Sequence, residues 1–343
     1  MTTLVIAEAG VNHNGSTDMA LELVETAARC GADAVKFQTF SADKLVRRGA
    51  AKAAYQEEAT GAGDQHSMLK ALELSEDLHH ALVRRCGELG IEFMSTAFDE
   101  EAADFLVSLG IRRIKIPSGE ITNHPFLSHL AAQGLPLILS TGMATLAEVQ
   151  EAVTVIGAAR REHGLDGPLA RVVTVLHCTS NYPAALEDVN LRAMTTMATA
   201  LGLPVGYSDH TAGTTVSIAA VALGATVIEK HFTLDRDLPG PDHRASLEPA
   251  ELADLIGRIR EAERALGSSV KQPSASEMPV RDLVRRSVTL VHALPAGHAL
   301  GAGDVALMRP GDGIAPKEMV GVIGRKTRSD LAAGHTLQWA DLQ

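Results

Sequence analysis

At 343 residues the chain has room for one large domain and a small one, or for two medium ones. It is 45% hydrophobic and 21% charged with aromatics at only 3%, the composition of a globular protein whose core is aliphatic. A net charge of −11 argues against nucleic acid or an anionic membrane as the main partner.

The three cysteines, Cys30, Cys86 and Cys178, form no Cys-x-x-Cys pair, which fits a reducing compartment better than a disulfide framework. Apolar runs such as 172–176 are far too short to cross a bilayer, and Leu4-Val5-Ile6-Ala7 lacks the basic flank of a signal peptide. The expectation is a soluble, cytoplasmic protein.

Along the chain, short apolar runs alternate with longer amphipathic stretches. The runs are Leu4–Ala9, Ala34–Thr39, Ile91–Thr96, Arg113–Pro117, Pro136–Thr141, Val172–Cys178, Pro204–Tyr207 and Thr226–His231. Each is nearly continuously apolar until its C-terminal end, as strands buried on both faces are. Between them, Asp18–Arg29 sets Met19, Leu23 and Ala27 on one helical face and ends at Gly31. The stretch Pro249–Leu266 does the same with Leu252, Leu255, Ile256, Ile259 and Ala262, with Pro in its first turn and Gly267 after its end. The alternation predicts a (β/α)8 TIM barrel. The alternative, a doubly wound open sheet, calls for a Gly-rich phosphate loop after the first strand, and Ala9-Gly10-Val11-Asn12-His13 does not supply one.

The connection at 41–75, rich in Ala, Gly and charge, reads as an active-site lid or a partner-binding excursion. A Ser- and Pro-containing stretch after Gly267 marks a boundary, giving domains at 1–267 and 287–343 with a linker at 268–286. In the last segment Ala296-Gly297-His298-Ala299-Leu300 with Asp304 returns 37 residues on as Ala333-Gly334-His335-Thr336-Leu337 with Asp341. Two copies at fixed spacing suggest a small pseudo-symmetric β-rich domain.

Polar residues gather at the C-terminal ends of the apolar runs. Glu8, Asn12 and His13 follow the first run; Lys36 and Gln38 lie in the second, Ser95 and Thr96 in the third. Lys115 with Ser118-Gly119-Glu120, then Ser140-Thr141-Gly142, then His177 to Tyr182, close the next three. Ser208-Asp209-His210 and Glu229-Lys230-His231 close the last two. In a barrel these ends converge on one face, where active sites are built. Buried polar groups cost several kcal/mol unless paired or used, so an enzyme is expected.

Lysine is rare inside an apolar strand. Lys36 and Lys115, with Thr96, Ser118 and Ser140, could hold a phosphate; equally they could be structural partners of Glu8 and Glu120. His210 and His231, on adjacent strands, could share a six-coordinate divalent ion such as Mn²⁺, or could be satisfied core histidines. Gly311-Asp312-Gly313 lacks the strand and helix of a nucleotide loop, and Cys178, inside an apolar run, reads as packing.

Ala7-Glu8-Ala9-Gly10-Val11-Asn12-His13-Asn14-Gly15, Lys36-Phe37-Gln38-Thr39 and Lys115-Ile116-Pro117-Ser118-Gly119-Glu120 resemble the sialic acid synthase family, which includes legionaminate synthases. So do Ser140-Thr141-Gly142-Met143, Gly206-Tyr207-Ser208-Asp209-His210-Thr211, Glu229-Lys230-His231-Phe232-Thr233, Gly240-Pro241-Asp242-His243 and Arg309-Pro310-Gly311-Asp312-Gly313. The match is collinear over essentially the whole chain. It implies a TIM barrel followed by an antifreeze-like (SAF) domain, and condensation of phosphoenolpyruvate with N-acetylmannosamine or a close relative. N-acetylneuraminate is the first-choice product, and a legionaminate acceptor, 2,4-diacetamido-2,4,6-trideoxymannose, the alternative. A non-catalytic SAF-type sugar-binding protein is the reading from another class.

Carried over by motif, Lys36, Thr96, Lys115, Ser118, Ser140, Ser180 and Ser208 would contact phosphoenolpyruvate. Gln38, Tyr182, Asp242 and Arg309 would face the acceptor sugar, an N-acyl amino-sugar aldehyde. His210 and His231 would bind the divalent metal, Mn²⁺ first with Mg²⁺ or Co²⁺ possible, and Glu8 and Glu120 would be acid/base or orienting groups. The resemblance also implies a domain-swapped homodimer, with Arg309 acting in the partner subunit's site.

Overall fold

A computed structural model describes residues 2–343, which divide into two compact units with the boundary between Gly267 and Ser268. In the first unit eight parallel strands close into a barrel in sequence order: β1 (Leu4–Gly10), β2 (Ala34–Thr39), β3 (Glu92–Ala97), β4 (Ile114–Ile116), β5 (Leu137–Ser140), β6 (Val173–Cys178), β7 (Val205–Asp209) and β8 (Val227–His231). The expected runs and the observed strands agree to within a residue or two. Pro117, Pro136 and Pro204 fall just outside their strands, because proline has no N–H for the ladder. Pro136 and Pro204 still accept through their carbonyls, from Ile114 N and Val175 N.

The helices start where the sequence supplies caps. Ser16 accepts from Met19 N ahead of the helix Thr17–Arg29, Ser75 from Leu78 N ahead of Glu76–Leu89, and Thr145 forms a capping box with Glu148. Thr17–Arg29 buries Ala20, Leu23, Val24 and Ala27, while Pro249–Leu266 buries Leu252, Leu255, Ile256 and Ile259. These faces pack on the outward side chains of the strands in one continuous core.

Alternation along the strands sets what fills the barrel. Ile6, Ala34, Met94, Ile138, Leu176 and Val227 form a separate apolar cluster. Two residues further along the same strands stand Glu8, Lys36, Thr96, Ser140, Cys178 and Glu229, so the barrel is packed at one level and polar at the next.

In the second unit β9 (Ser287–Leu290) and β10 (Val305–Met308) pair antiparallel. The internal repeat is a structural one. Leu290 N donates to His335 O and Thr327 N to His298 O, each at 3.0 Å, and Leu294 and Leu331 exchange reciprocal bonds of 2.9 Å. In each copy the histidine bonds the following aspartate, His298 to Asp304 at 3.0 Å and His335 to Asp341 at 2.8 Å. Leu294, Leu300 and Val305 share a small core with Leu331, Leu337 and Leu342, their equivalents 37 residues on. The stretch expected to be a plain linker contains a helix, Met278–Val284, started by Pro279 in its first turn.

Candidate active site

A cavity of about 490 Å³ opens at the C-terminal ends of the barrel strands. Thirteen of the fifteen side chains proposed from sequence line it: Glu8, Lys36, Gln38, Thr96, Lys115 and Ser118, then Ser140, Ser180, Tyr182, Ser208, His210, His231 and Asp242. Two do not. Glu120 ends a short 3-10 turn, Ser118–Glu120, and its carboxylate accepts from Asn123 Nδ2 at 2.7 Å instead of facing the cavity. Arg309 belongs to the second unit, where it is exposed and makes no ion pair among the described residues.

The floor of the cavity is a charge cluster. Lys36 Nζ lies 2.7 Å from Glu8 and 3.7 Å from Glu229, and donates to Thr96 Oγ1 at 2.8 Å. Lys115 Nζ donates to Glu229 Oε1 at 2.9 Å, and Ser208 Oγ donates to the same oxygen at 2.9 Å. All six of these charged and hydroxyl-bearing residues are buried. Lys115 is therefore partnered by Glu229, not by Glu120. Glu229 is the carboxylate that the sequence argument passed over. Its signal was available, because alternation along β8 puts Glu229 and His231 on the same inward face.

Burial pushes the Glu8 carboxyl up to about 7 against the opposing pull of Lys36. For Glu229 burial acts the same way, but Lys115 and Lys36 outweigh it and hold the carboxyl well below its usual range. Burial works against the charge on Lys36 too, and Glu229 and Glu8 overcome it, so the ammonium is held more firmly than usual. Lys36 thus stays cationic while the Glu8 carboxyl titrates near neutrality.

Hydroxyls occupy the β4–β6 side. Gly142 N donates to Ser118 Oγ at 2.9 Å, and Ser118 Oγ lies 3.3 Å from Cys178 Sγ. A Cβ at Gly142 would run into Ser180 Oγ and crowd Ser118 Oγ and Cys178 Sγ at 3.0 and 3.2 Å, so only glycine leaves the serines in place. Cys178 does pack, as expected, but its sulfur is also part of the cavity wall. Ser140 Oγ is buried with no protein partner, an open donor toward the cavity.

His210 and His231 stand with ring centroids 5.6 Å apart. His210 Nδ1 donates to Thr179 O at 2.7 Å, which leaves the Nε2 lone pair for the cavity. His231 Nδ1 is buried without a hydrogen-bond partner. Burial lowers His210 to about 4 and, with His210 beside it, takes His231 well below the usual value, so both imidazoles are neutral and able to act as ligands. This donor set fits a divalent ion that takes two imidazoles and fills its remaining positions with water or substrate oxygens. Among the described residues no group of three His, Cys, Asp or Glu side chains is placed to hold a metal alone. Tyr182 lies over His210 at 4.1 Å between centroids, and burial pushes Asp242 up to about 6.

The 41–75 excursion covers one side of the cavity with Tyr55, Gln56, Gln65, Met68 and Leu69. Of its short helices, Ala54–Thr60 and Gln65–Lys70, the second packs through Met68 and Leu69 on a small apolar cluster around Val11, Phe40 and Leu72. Tyr55 meets Tyr182 at 5.3 Å. Met143, part of a family-like motif but given no role from sequence, holds φ +66 at the cavity rim with its side chain exposed. A methionine with that backbone carries strain of the kind that collects at functional sites.

Comparison with known proteins places this geometry. Residues 23–271 match the NeuB family and residues 285–343 the SAF domain. An N,N'-diacetyllegionaminic acid synthase of Legionella pneumophila is 53% identical over 100% of this chain and 95% of its own. Another protein of that description, from Campylobacter jejuni, is 45% identical over 94% and 96%. The crystal structure of an N-acetylneuraminic acid (sialic acid) synthetase from Leptospira borgpetersenii, in complex with citrate, superposes with a TM-score of 0.72 at 33% identity. The match covers 82% of this chain and 90% of that one.

Proposed function

The chain belongs to the NeuB family, with an SAF domain at its C-terminus, and on that premise we propose that it condenses phosphoenolpyruvate with an N-acyl amino-sugar aldehyde to form a nonulosonic acid and phosphate. The observation that carries this is the cavity floor: two buried lysines beside a bank of hydroxyls, a cradle for a small, highly charged phosphate.

The two acceptors expected from sequence now rank in a different order. The relatives at 53% and 45% identity are both described as N,N'-diacetyllegionaminic acid synthases, which puts 2,4-diacetamido-2,4,6-trideoxymannose ahead of N-acetylmannosamine. The cavity supports an uncharged acceptor. Its only lining lysines or arginines, among the described residues, are Lys36 and Lys115, both already assigned to the phosphate of phosphoenolpyruvate. Nothing there is left over for a second phosphate. Catalytic efficiencies with the two sugars test the order: the diacetamido sugar is expected to win by tenfold or more, and a ratio favouring N-acetylmannosamine restores the first choice.

In the reaction the methylene carbon of phosphoenolpyruvate bonds to the aldehyde carbon, water adds to the central carbon, and the carbon–oxygen bond to phosphate breaks. Lys36, Lys115 and the hydroxyls of Ser118, Ser140, Ser180 and Ser208, with Thr96 bracing Lys36, hold the phosphate and stabilise charge as it leaves. Gln38, Tyr182 and Asp242 face the acceptor. His210 and His231 would hold a divalent cation, Mn²⁺ first, which would supply Lewis-acid polarisation of the aldehyde. Glu8 takes the proton of the attacking water, a role suited to a carboxyl held near 7. Activity is then expected to rise with pH through an inflection at about 7, because Glu8 must be deprotonated to act. The kcat/KM profile of Glu8→Gln should lose that inflection; an unaltered profile assigns the base elsewhere.

Arg309 is exposed, unpaired among the described residues and at the end of β10, which suits a residue that acts beyond its own unit. We propose a homodimer in which it reaches the acceptor's acyl-amino group in the partner subunit's barrel. Arg309→Ala chains and His231→Ala chains, each inactive alone, should regain about a quarter of wild-type activity after random exchange, since half the dimers are mixed and each has one good site. Proven exchange without recovery rules out the shared site.

A further inference from the structure

Just outside the cavity, β7 and β8 carry a charge pair that the proposed reaction does not use. Asp209 and Lys230 directly precede the two histidines, and by strand alternation they face away from the barrel interior. They are register partners, their side chains are wholly buried, and Lys230 Nζ lies 3.1 Å from Asp209 Oδ2. Desolvating two ions costs several kcal/mol each before their attraction offsets it. Among the described residues no other outward-facing strand position in the barrel carries a buried ion pair; Val5, Ala7, Val35, Ile116, Leu139 and Val175 are typical. The fold alone gives no reason for the pair.

What the pair touches does. Asp209 Oδ1 accepts from the Thr211 N–H at 2.9 Å and from its hydroxyl at 2.7 Å; Oδ2 accepts from Ser217 Oγ at 2.6 Å. Lys230 Nζ donates to the Thr211 carbonyl. All three polar groups of the residue after His210 are thus tied to these two side chains. The β7–β8 ladder ends at the Asp209–Lys230 pair, so each histidine lies one residue past the last register pair between the two strands. Main-chain pairing no longer fixes their separation there.

We propose, resting on the reading of His210 and His231 as a divalent-cation pair, that Asp209 and Lys230 are positioning residues that set the spacing of the two imidazoles from outside the barrel. The test is calorimetric titration of metal-free, full-length protein with Mn²⁺, alongside thermal melts and phosphoenolpyruvate binding without metal. The informative variant is Asp209→Asn with Lys230→Met. It leaves no charge unpaired, and the Asn carbonyl can still accept from Thr211. It should melt near wild type and bind phosphoenolpyruvate within twofold, yet hold Mn²⁺ about 10–100-fold more weakly, the range for lost support of a metal ligand. Ser217→Ala, which loosens Asp209 alone and is far milder for folding, should weaken Mn²⁺ severalfold, and it decides the matter if the double variant does not fold. Wild-type Mn²⁺ affinity in the folded variants makes the pair merely structural and overturns the inference. Absence of Mn²⁺ binding by the wild-type protein overturns the cation reading itself, and the inference with it.

Discussion

Lys36→Met and Lys115→Met are each expected to lower kcat/KM for phosphoenolpyruvate by about 10²–10³, the cost of losing one preorganised donor to developing charge. Methionine keeps the apolar stem, so the effect reports the charge. The two variants should differ in stability. Lys36 sits between Glu8 and Glu229, whereas Lys115 pairs with Glu229 alone. Without Lys36, two buried carboxylates are left with a single cation, and breaking a buried pair on one side costs about 3–5 kcal/mol. Glu8 relieves part of this by taking a proton, because burial already raises it to about 7. The sign follows. A carboxyl whose folded pKa lies above its unfolded value of 4.5 takes stability away as pH rises from 4.5 through 7. Removing Lys36 raises that pKa further and extends the loss to higher pH. Melts of Lys36→Met should therefore fall below wild type more at pH 8 than at pH 5, and Lys115→Met should show less of this trend. Normal turnover and phosphoenolpyruvate affinity in both variants places the phosphate elsewhere.

The sequence displayed the barrel because each strand is apolar on both faces until its end, a pattern that buried parallel strands require and that prolines delimit. The site was legible for the same reason: polar side chains interrupt those runs only where the strands open onto the cavity. Glu229 was missed because two more conspicuous residues follow it, Lys230 and the ligand candidate His231, and only its facing separates it from Lys230. Glu120 illustrates the reverse. Its motif sits beside Ser118, but the 3-10 turn there swings successive side chains in different directions, and the carboxylate is taken by Asn123. The excursion's Tyr55 and Met68 carried no periodic signal, since their place at the cavity is decided by long-range packing, Met68 on Val11, Phe40 and Phe98 and Tyr55 on Tyr182. The His–Asp repeat of the second unit could be read because symmetry forces the same local bonds twice.

Exhaustive chelation is expected to abolish turnover, with Mn²⁺, Co²⁺ or Mg²⁺ restoring it to different degrees. The two buried imidazoles are not fully satisfied by the protein: His231 Nδ1 has no hydrogen-bond partner, and His210 Nε2 has only a long 3.5 Å contact with Ser208 Oγ. An unsatisfied buried polar atom costs about 1–3 kcal/mol, and His231 Nδ1 is one, with Asp242 too far at 3.9 Å to bond it. Both rings are neutral, which is the state that donates a lone pair to a cation. A cation binding here should therefore stabilise the fold independently of activity. At a free concentration one hundred times Kd, Mn²⁺ contributes about 2.7 kcal/mol, enough to raise the melting temperature by a few degrees. His210→Ala and His231→Ala should each lose both the stabilisation and the turnover, whereas His243→Gln, whose ring bonds Thr233 and Asn14 behind the site, should keep the Mn²⁺ shift. Full activity after chelation, or a Mn²⁺ shift that survives loss of both cavity histidines, would show that the pair is no metal site.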